Sequence, residues 1–291
     1  MYKMADVLYA ALTVFQGYCL QYFLGSFLES RLKSRWNGPS VIVLYVGLRM
    51  AVMWVSTPGY KDYKAAVGTL ALSLCILSFL AFCFYKAFRP VTVFLVVSFQ
   101  AVSDISRYAV SILLDEMGGW VLDILNWLAG KGALQSEKAF GIAVEVSVAG
   151  TQLLQYAAIA LLLYFSLRSI VRNFHEKSYR INRMELLFIL IPAAVGLMIC
   201  MLLRIIMLTV EDSVPEMLYY RYPVLVIVIP TILLLSLLSI LYSVKLFQDM
   251  ICWNREKSGR IVLEKQISSL QEHMEEMERI YSGIRGMKHD M

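Results

Sequence analysis

Long apolar stretches alternate with shorter polar connections along this chain. A helix needs about 20 mostly apolar residues to cross the hydrocarbon core of a bilayer, and in these stretches apolar residues occupy all sides of the helix instead of one face. The pattern therefore predicts an all-α fold, a polytopic membrane bundle of about seven transmembrane helices. The predicted spans are residues 5–28, 41–55, 65–85, 91–114, 141–167, 185–210 and 223–247.

Basic residues are distributed unequally between the connections. The first, third and fifth together contain ten Lys and Arg residues, and the alternate ones together contain five. Cytoplasmic loops carry an excess of these residues, so the predicted topology has the N-terminus outside the cell membrane and the C-terminus in the cytoplasm. The basic residues of the odd connections are Arg31, Lys33, Arg35, Lys86, Arg89, Arg168, Arg172, Lys177, Arg180 and Arg183.

The fourth connection, the longest predicted outer one, contains the sequence GGWVLDILNWLAGKG, residues 118–132. On a helix its apolar residues share one face, whereas Asp123 and Asn126 lie away from it. Because Trp is favoured at membrane–water interfaces, the segment predicts a short amphipathic helix resting at the outer interface. The alternative, an eighth partial span, is disfavoured because the run is short and bounded by glycines. The residues of the apolar face are Trp120, Val121, Ile124, Leu125 and Leu128.

Residues 248–291 are polar and charged, and they contain apolar positions that recur every four and three residues. That seam predicts a coiled coil, which divides the chain into a transmembrane sensor domain, 1–247, and a cytoplasmic signalling helix, 248–291. The preferred interpretation is a homodimer, and the alternative is a single helix docked on the membrane domain. The seam residues are Leu263, Ile267, Leu270, Met274, Met277, Tyr281 and Ile284.

The composition also favours the lipid bilayer. Hydrophobic residues make up 59% of the 291 residues and charged residues 17%, against about half and about a quarter in soluble domains. The net charge of +5 is spread over the connections, so no nucleic-acid binding is predicted. The five cysteines are scattered without a CxxC pair, and no metal site is predicted.

Five charged residues lie inside the predicted spans and away from their terminal residues, where charges are costly and mark functional candidates. Asp104 is predicted near the midplane, and it can pair with Arg107 one turn later. Glu145, in the outer half, can pair with Arg49 or Arg204. These residues are either structural ion pairs or an outward-facing pocket whose surplus positive charge suits a ligand carboxylate or a peptide.

The seam register places His289 beside the dimer interface and exposed to solvent. A neutral imidazole is a competent nucleophile toward a phosphoryl group, and the neighbouring carboxylate of Asp290 can take the other ring proton. Gly283 and Gly286 precede the histidine, and each weakens a helix by roughly 1 kcal/mol. We therefore predict a compliant signalling hinge at these two glycines, which controls access to His289.

The sequence LEKQISSLQEHMEEMERIYSGIRGMKHDM, residues 263–291, resembles the segment that enters the phosphoacceptor helix of sensor histidine kinases. It looks most like the Agr-type, peptide-pheromone quorum-sensing group, whose ATPase domain is of the GHKL type. The residues that match the first part of the family pattern are Arg285, Lys288, His289, Asp290 and Met291. The resemblance implies that His289 is autophosphorylated from ATP and passes the phosphoryl group to a response-regulator aspartate, with Asp290 as its acid–base neighbour.

The family pattern continues with an Asn and an ATP-binding domain, both of which would lie beyond Met291. No glycine-rich nucleotide motif occurs in residues 1–291. The chain is therefore expected to lack the catalytic domain, having been cut just after the phosphoacceptor or occurring as a naturally truncated receptor. ATP and Mg²⁺ are implied for the missing domain, and no cofactor is predicted for this chain.

The leading hypothesis is thus the receptor portion of a two-component sensor histidine kinase that detects an extracellular small molecule or peptide. The alternative is a membrane transporter or channel subunit with a C-terminal oligomerisation helix. Against the alternative, the sequence shows no internal repeat and no matching pair of broken helices. An integral-membrane enzyme is a third possibility, but no metalloprotease or serine-nucleophile motif occurs.

Overall fold

The computed structural model describes residues 2–31, 34–56, 63–86, 89–131, 137–173, 183–206, 208–211 and 214–289. This part of the chain is almost entirely helical, which confirms the predicted all-α class. The helices are α1 Tyr2–Phe27, α2 Ser34–Ser56, α3 Tyr63–Phe84, α4 Arg89–Gly130, α5 Glu137–Asn173, α6 Arg183–Ile206, α7 Leu218–Arg221 and α8 Leu225–His289. Two short antiparallel pairs join them, β1 Glu29–Ser30 with β2 Tyr85–Lys86 and β3 Leu208–Glu211 with β4 Val214–Met217.

Among the described residues, six helices are long and apolar enough to cross a membrane, namely α1, α3, α4, α5, α6 and α8. The 23-residue α2 packs against α1 and α3. Helix α6 is apolar on its outer face as well as its inner face, because Ile189 and Ala193 are buried while Ile191, Val195 and Met198 are at least half exposed. Exposing a continuous apolar face to water is unfavourable. The helices therefore have the character of a multi-pass membrane protein.

The β1–β2 pair fixes which connections share an end of the bundle. Glu29 pairs with Lys86 and Ser30 with Tyr85, and the Lys86 Nζ lies 3.5 Å from a Glu29 carboxylate oxygen. Burial raises the pKa of the Tyr85 hydroxyl above its ordinary value. The first and third connections thus lie together, as alternating spans require. We call this the β1–β2 end.

The predicted separate interfacial helix is wrong, because α4 continues through Gly118 and Gly119 to Gly130. Its 42 residues are about 63 Å long, roughly twice the thickness of a bilayer core. Helix α5 runs beside it, and the Gln155 amide donates to an Asp115 carboxylate oxygen at 3.2 Å. Packing against α5 offsets the low helix propensity of the two glycines.

Helix α6 ends at Ile206, and the chain enters strand β3 at Leu208, before the predicted end of the sixth span at residue 210. Strand β4 pairs antiparallel with β3 and is followed by α7, which precedes α8. Sequence periodicity missed the hairpin because its first residues continue the apolar run of α6.

Gly196 lets three helices approach closely. A Cβ at this position of α6 would lie 3.0 Å from the Ile105 Cδ1 on α4 and 3.0 Å from the Ser236 Oγ on α8. Those separations are shorter than ordinary van der Waals contact between carbon atoms. The structure therefore gives Gly196 a packing role at the junction of α4, α6 and the first part of α8.

We expect Gly196→Leu to destabilise the bundle, because the larger side chain must displace Ile105 or Ser236. Overpacking of this kind costs about 1–3 kcal/mol. Thermal unfolding of the detergent-solubilised protein measures the change. Gly150→Leu on α5 is the matched control, since a Cβ there meets nothing within 4 Å. Equal unfolding temperatures for both variants would contradict the packing role.

The chain divides into two compact units, Met1–Lys245 and Leu246–Met291. The first contains the helical bundle. The second consists of the remainder of α8, which is helical to His289. The side chains described for the predicted seam are each more than half exposed on the single chain, and the coiled coil itself stays a prediction. They are Leu263, Ile267, Leu270, Met274 and Met277.

Candidate functional site

A hydrogen-bonded set of polar side chains joins four helices of the bundle. Its members come from α2, α3, α4 and α6, and Arg204 on α6 is its centre. We call this set the arginine cluster. Its members are Arg49, Thr69, Ser73, Gln100, Asp104, Tyr108 and Arg204.

Arg204 uses its whole guanidinium group within the cluster. The Nε donates to the Tyr108 hydroxyl at 2.7 Å, and Nη1 donates to the Thr69 hydroxyl at 3.2 Å. Nη2 donates to both carboxylate oxygens of Asp104 at 3.4 Å. The planar fork of donors in arginine allows this, and a lysine ammonium could not reproduce the geometry.

Asp104 is fully buried, with 0% of its side chain exposed, whereas 19% of the Arg204 side chain is exposed. The carboxylate also accepts a hydrogen bond from Gln100 at 2.9 Å. On the neighbouring helices, Arg49 donates to the Ser73 hydroxyl at 2.6 Å, which in turn donates to the Thr69 carbonyl. A buried carboxylate held by several donors is a structural anchor that binds α4 to α6.

The cluster lies at the end of the bundle opposite the β1–β2 end. Arg204 is in the last turn of α6, and Thr69 lies near the first residues of α3. The apolar segments of these helices end at Ile206 and begin at Val67. Asp104 was predicted near the midplane, but its contact with Arg204 places it level with the ends of these two apolar segments.

The predicted pairing of Asp104 with Arg107 is wrong, because the carboxylate bonds to Arg204 and Gln100 instead. Arg107 is half-buried and has no hydrogen bond or ion pair to any residue that the structure describes. Arg107 is therefore a half-buried cation with spare hydrogen-bond donors.

Glu145 lies away from the cluster. Its position on α5 is roughly 15 Å nearer the start of that helix than Gln155, which bonds to Asp115. Asp104 is roughly 16 Å from Asp115 in the opposite direction along α4. The exposed Glu145 side chain is thus about 30 Å from Asp104, and its predicted pairing with Arg49 or Arg204 does not form.

The phosphoacceptor candidate falls at the edge of the described chain. His289 is the last residue of α8, and Gly283 and Gly286 lie within that helix. Asp290 lies outside the described residues, as do the side-chain positions around it. The roles of His289, Asp290 and the two glycines stay predictions from the sequence.

A groove that sequence reasoning missed lies between the second half of α4, α5 and the start of α8. Its volume is about 610 Å³. Leu113, Met117 and Trp120 form one wall, and Val226 of α8 forms the other. Glu116 also lines it. The groove depends on which helices are neighbours, since its lining comes from α4, α5 and α8, so no sequence motif signalled it.

The fold and the arginine cluster define a helical membrane protein of the multi-pass class with a polar anchor at one end. No protein-family model, curated protein or solved structure matches this chain.

Proposed function

We propose that this chain is the receptor portion of a two-component sensor histidine kinase, acting as a homodimer in the cell membrane. An extracellular small molecule or peptide binds near the outer end of the bundle and controls phosphorylation of His289. A response regulator in the cytoplasm then receives the phosphoryl group. The main support for this proposal is that one helix, α8, runs from Leu225 in the bundle to His289.

Helix α8 supports signal transmission because its first part packs into the bundle. Ile229, Leu233, Leu237 and Ile240 are buried there. Ser236 approaches Gly196 of α6. A shift of α6 or α4 therefore displaces the first turns of α8, and a continuous helix passes rotation or translation along its axis. Ligand drives such a shift only if its affinity differs between the two arrangements.

The charge balance at the outer end supports recognition of an anionic group on the ligand. Arg49, Arg107 and Arg204 lie there, and the buried carboxylate of Asp104 is already bonded to Arg204. Of these three arginines, Arg107 is the one without a hydrogen bond or ion pair to a described residue. We propose that Arg107 binds the carboxylate of the ligand, and that the ion pair of Arg204 with Asp104 holds the helices together.

The chemical step follows the proposed role of His289. An imidazole nitrogen attacks the γ-phosphorus of ATP, a nitrogen–phosphorus bond forms, and the bond to the β,γ-bridging oxygen breaks with release of ADP. The proton on the other ring nitrogen passes to the Asp290 carboxylate. The phosphoryl group then moves from the imidazole to a carboxylate oxygen of the response regulator.

Labelling tests this proposal. The protein as its gene encodes it, in membranes, is incubated with γ-labelled ATP and Mg²⁺. We expect label that is lost in acid and retained in base, as a phosphohistidine requires. His289→Gln should abolish it, and His273→Gln, on the exposed surface of the same helix, should leave it unchanged. Label that persists in His289→Gln, or no label in either protein, would refute the proposal and favour a transporter or channel subunit.

A further inference from the structure

The groove beside α8 combines an apolar lining with one acidic side chain. Met117 and Trp120 of α4, Ala158 of α5, and Val226 and Ile227 of α8 contribute apolar surface. Its volume of about 610 Å³ lies within the range of small-molecule sites, roughly 300–1,000 Å³. An apolar body of moderate size, such as an alkyl chain, fits this lining.

Glu116 gives the groove a charge preference. Its side chain is half-buried and has no hydrogen bond or ion pair within the described part of the chain. A carboxylate beside apolar surface loses part of its hydration, and a nearby positive group offsets that loss. Trp120, one helical turn away, offers an indole face that attracts the same kind of cation.

We infer that this groove binds an amphiphile that carries an ammonium group on an apolar chain. The cationic head lies between the Glu116 carboxylate and the Trp120 indole, and the chain lies against Met117, Val226 and Ile227. A neutral lipid tail would fill the same apolar space without compensating the carboxylate. Charge complementarity therefore selects the cationic amphiphile.

The location gives the site a structural consequence. The groove joins the second half of α4 to the first turn of α8, so an occupant bridges two helices that both approach Gly196 of α6. Binding should stabilise the bundle. This inference is independent of the proposed kinase function, because it concerns only residues 1–245 and its test reads binding and not phosphorylation.

The test uses decyltrimethylammonium as the probe, with decanol and decanoate as neutral and anionic probes of equal chain length. The full chain is placed in nanodiscs of zwitterionic lipid, and binding is followed by tryptophan fluorescence and by the unfolding temperature. We expect saturable binding of the cationic probe that is about tenfold tighter than binding of either comparison probe. Empty nanodiscs correct for partition into lipid.

Variants locate the site. Glu116→Gln should weaken binding of the cationic probe about tenfold, and Val226→Trp should abolish saturable binding of all three by filling the groove. Asp123→Asn, an exposed acid on the same helix, should leave binding unchanged. Equal binding of decanol, tighter binding of decanoate, or unchanged binding in Glu116→Gln would each overturn the inference. Val226→Trp retains the carboxylate, so it tests the groove even if Glu116→Gln folds poorly.

Discussion

Arg204→Gln is expected to lower the free energy of unfolding by about 3–5 kcal/mol, as removal of one partner from a buried ion pair does. The substitution leaves the fully buried Asp104 carboxylate with Gln100 as its remaining donor and removes the donors to Tyr108 and Thr69. Since these contacts join α3, α4 and α6, the whole bundle should lose stability. The double variant Asp104→Asn/Arg204→Gln should recover part of the loss, because it removes the uncompensated charge.

The buried cysteines provide the measurement. Cys19 and Cys200 are buried, whereas Cys75, Cys83 and Cys252 are exposed. With the three exposed cysteines replaced by serine, a thiol-reactive fluorophore reports unfolding of the detergent-solubilised protein as the buried thiols become accessible.

Arg107→Gln is the matched control for Arg204→Gln. It removes an arginine at a similar level of the bundle that has no hydrogen bond or ion pair within the described residues, so its unfolding temperature should change little. Under the proposed function, Arg107→Gln should instead weaken the response to ligand. A loss of stability in Arg204→Gln no larger than in Arg107→Gln would contradict the anchoring role of the ion pair.

Leu270→Cys is expected to form a covalent dimer almost completely under mild oxidation. Leu270 belongs to the exposed apolar seam of α8 and is 64% exposed on the single chain. In a parallel coiled coil the two copies of this position face each other across the interface. The two introduced thiols, one from each copy, are then close enough to form a disulfide.

The control is Glu272→Cys, which lies on the opposite side of the helix from the seam. Both variants are made with Cys75, Cys83 and Cys252 replaced by serine and are oxidised in native membranes. Non-reducing electrophoresis gives the dimer fraction. Cross-linking that is equal at the two positions would indicate random collision and would count against the homodimer.

The sequence predicted the helical class and most helix positions well because both depend on local composition. About 20 apolar residues in succession can satisfy their backbone in lipid only as a helix. The predicted spans 65–85 and 185–210 accordingly overlap α3 and α6 over most of their length. The heptad spacing after residue 248 likewise predicted a helix that the structure extends to His289.

The prediction of a separate interfacial helix was wrong because it did not include packing between α4 and α5. Two adjacent glycines cost helix stability of about 2 kcal/mol together, which by itself favours a break at Gly118. The long neighbour α5 packs against α4, and its Gln155 bonds to Asp115, close to that point. Contacts with a helix far away in the sequence therefore stabilise α4 next to the two glycines.

The sequence by itself determined that this is a helical membrane protein, where its apolar helices lie, and which charged residues are exceptional. Those properties follow from the composition of each segment. The tertiary structure alone decided that Asp104 pairs with Arg204 and that Glu145 stays apart. Partner choice depends on which helices are neighbours, because a residue on an adjacent helix can offer better donor geometry than one a turn away on the same helix.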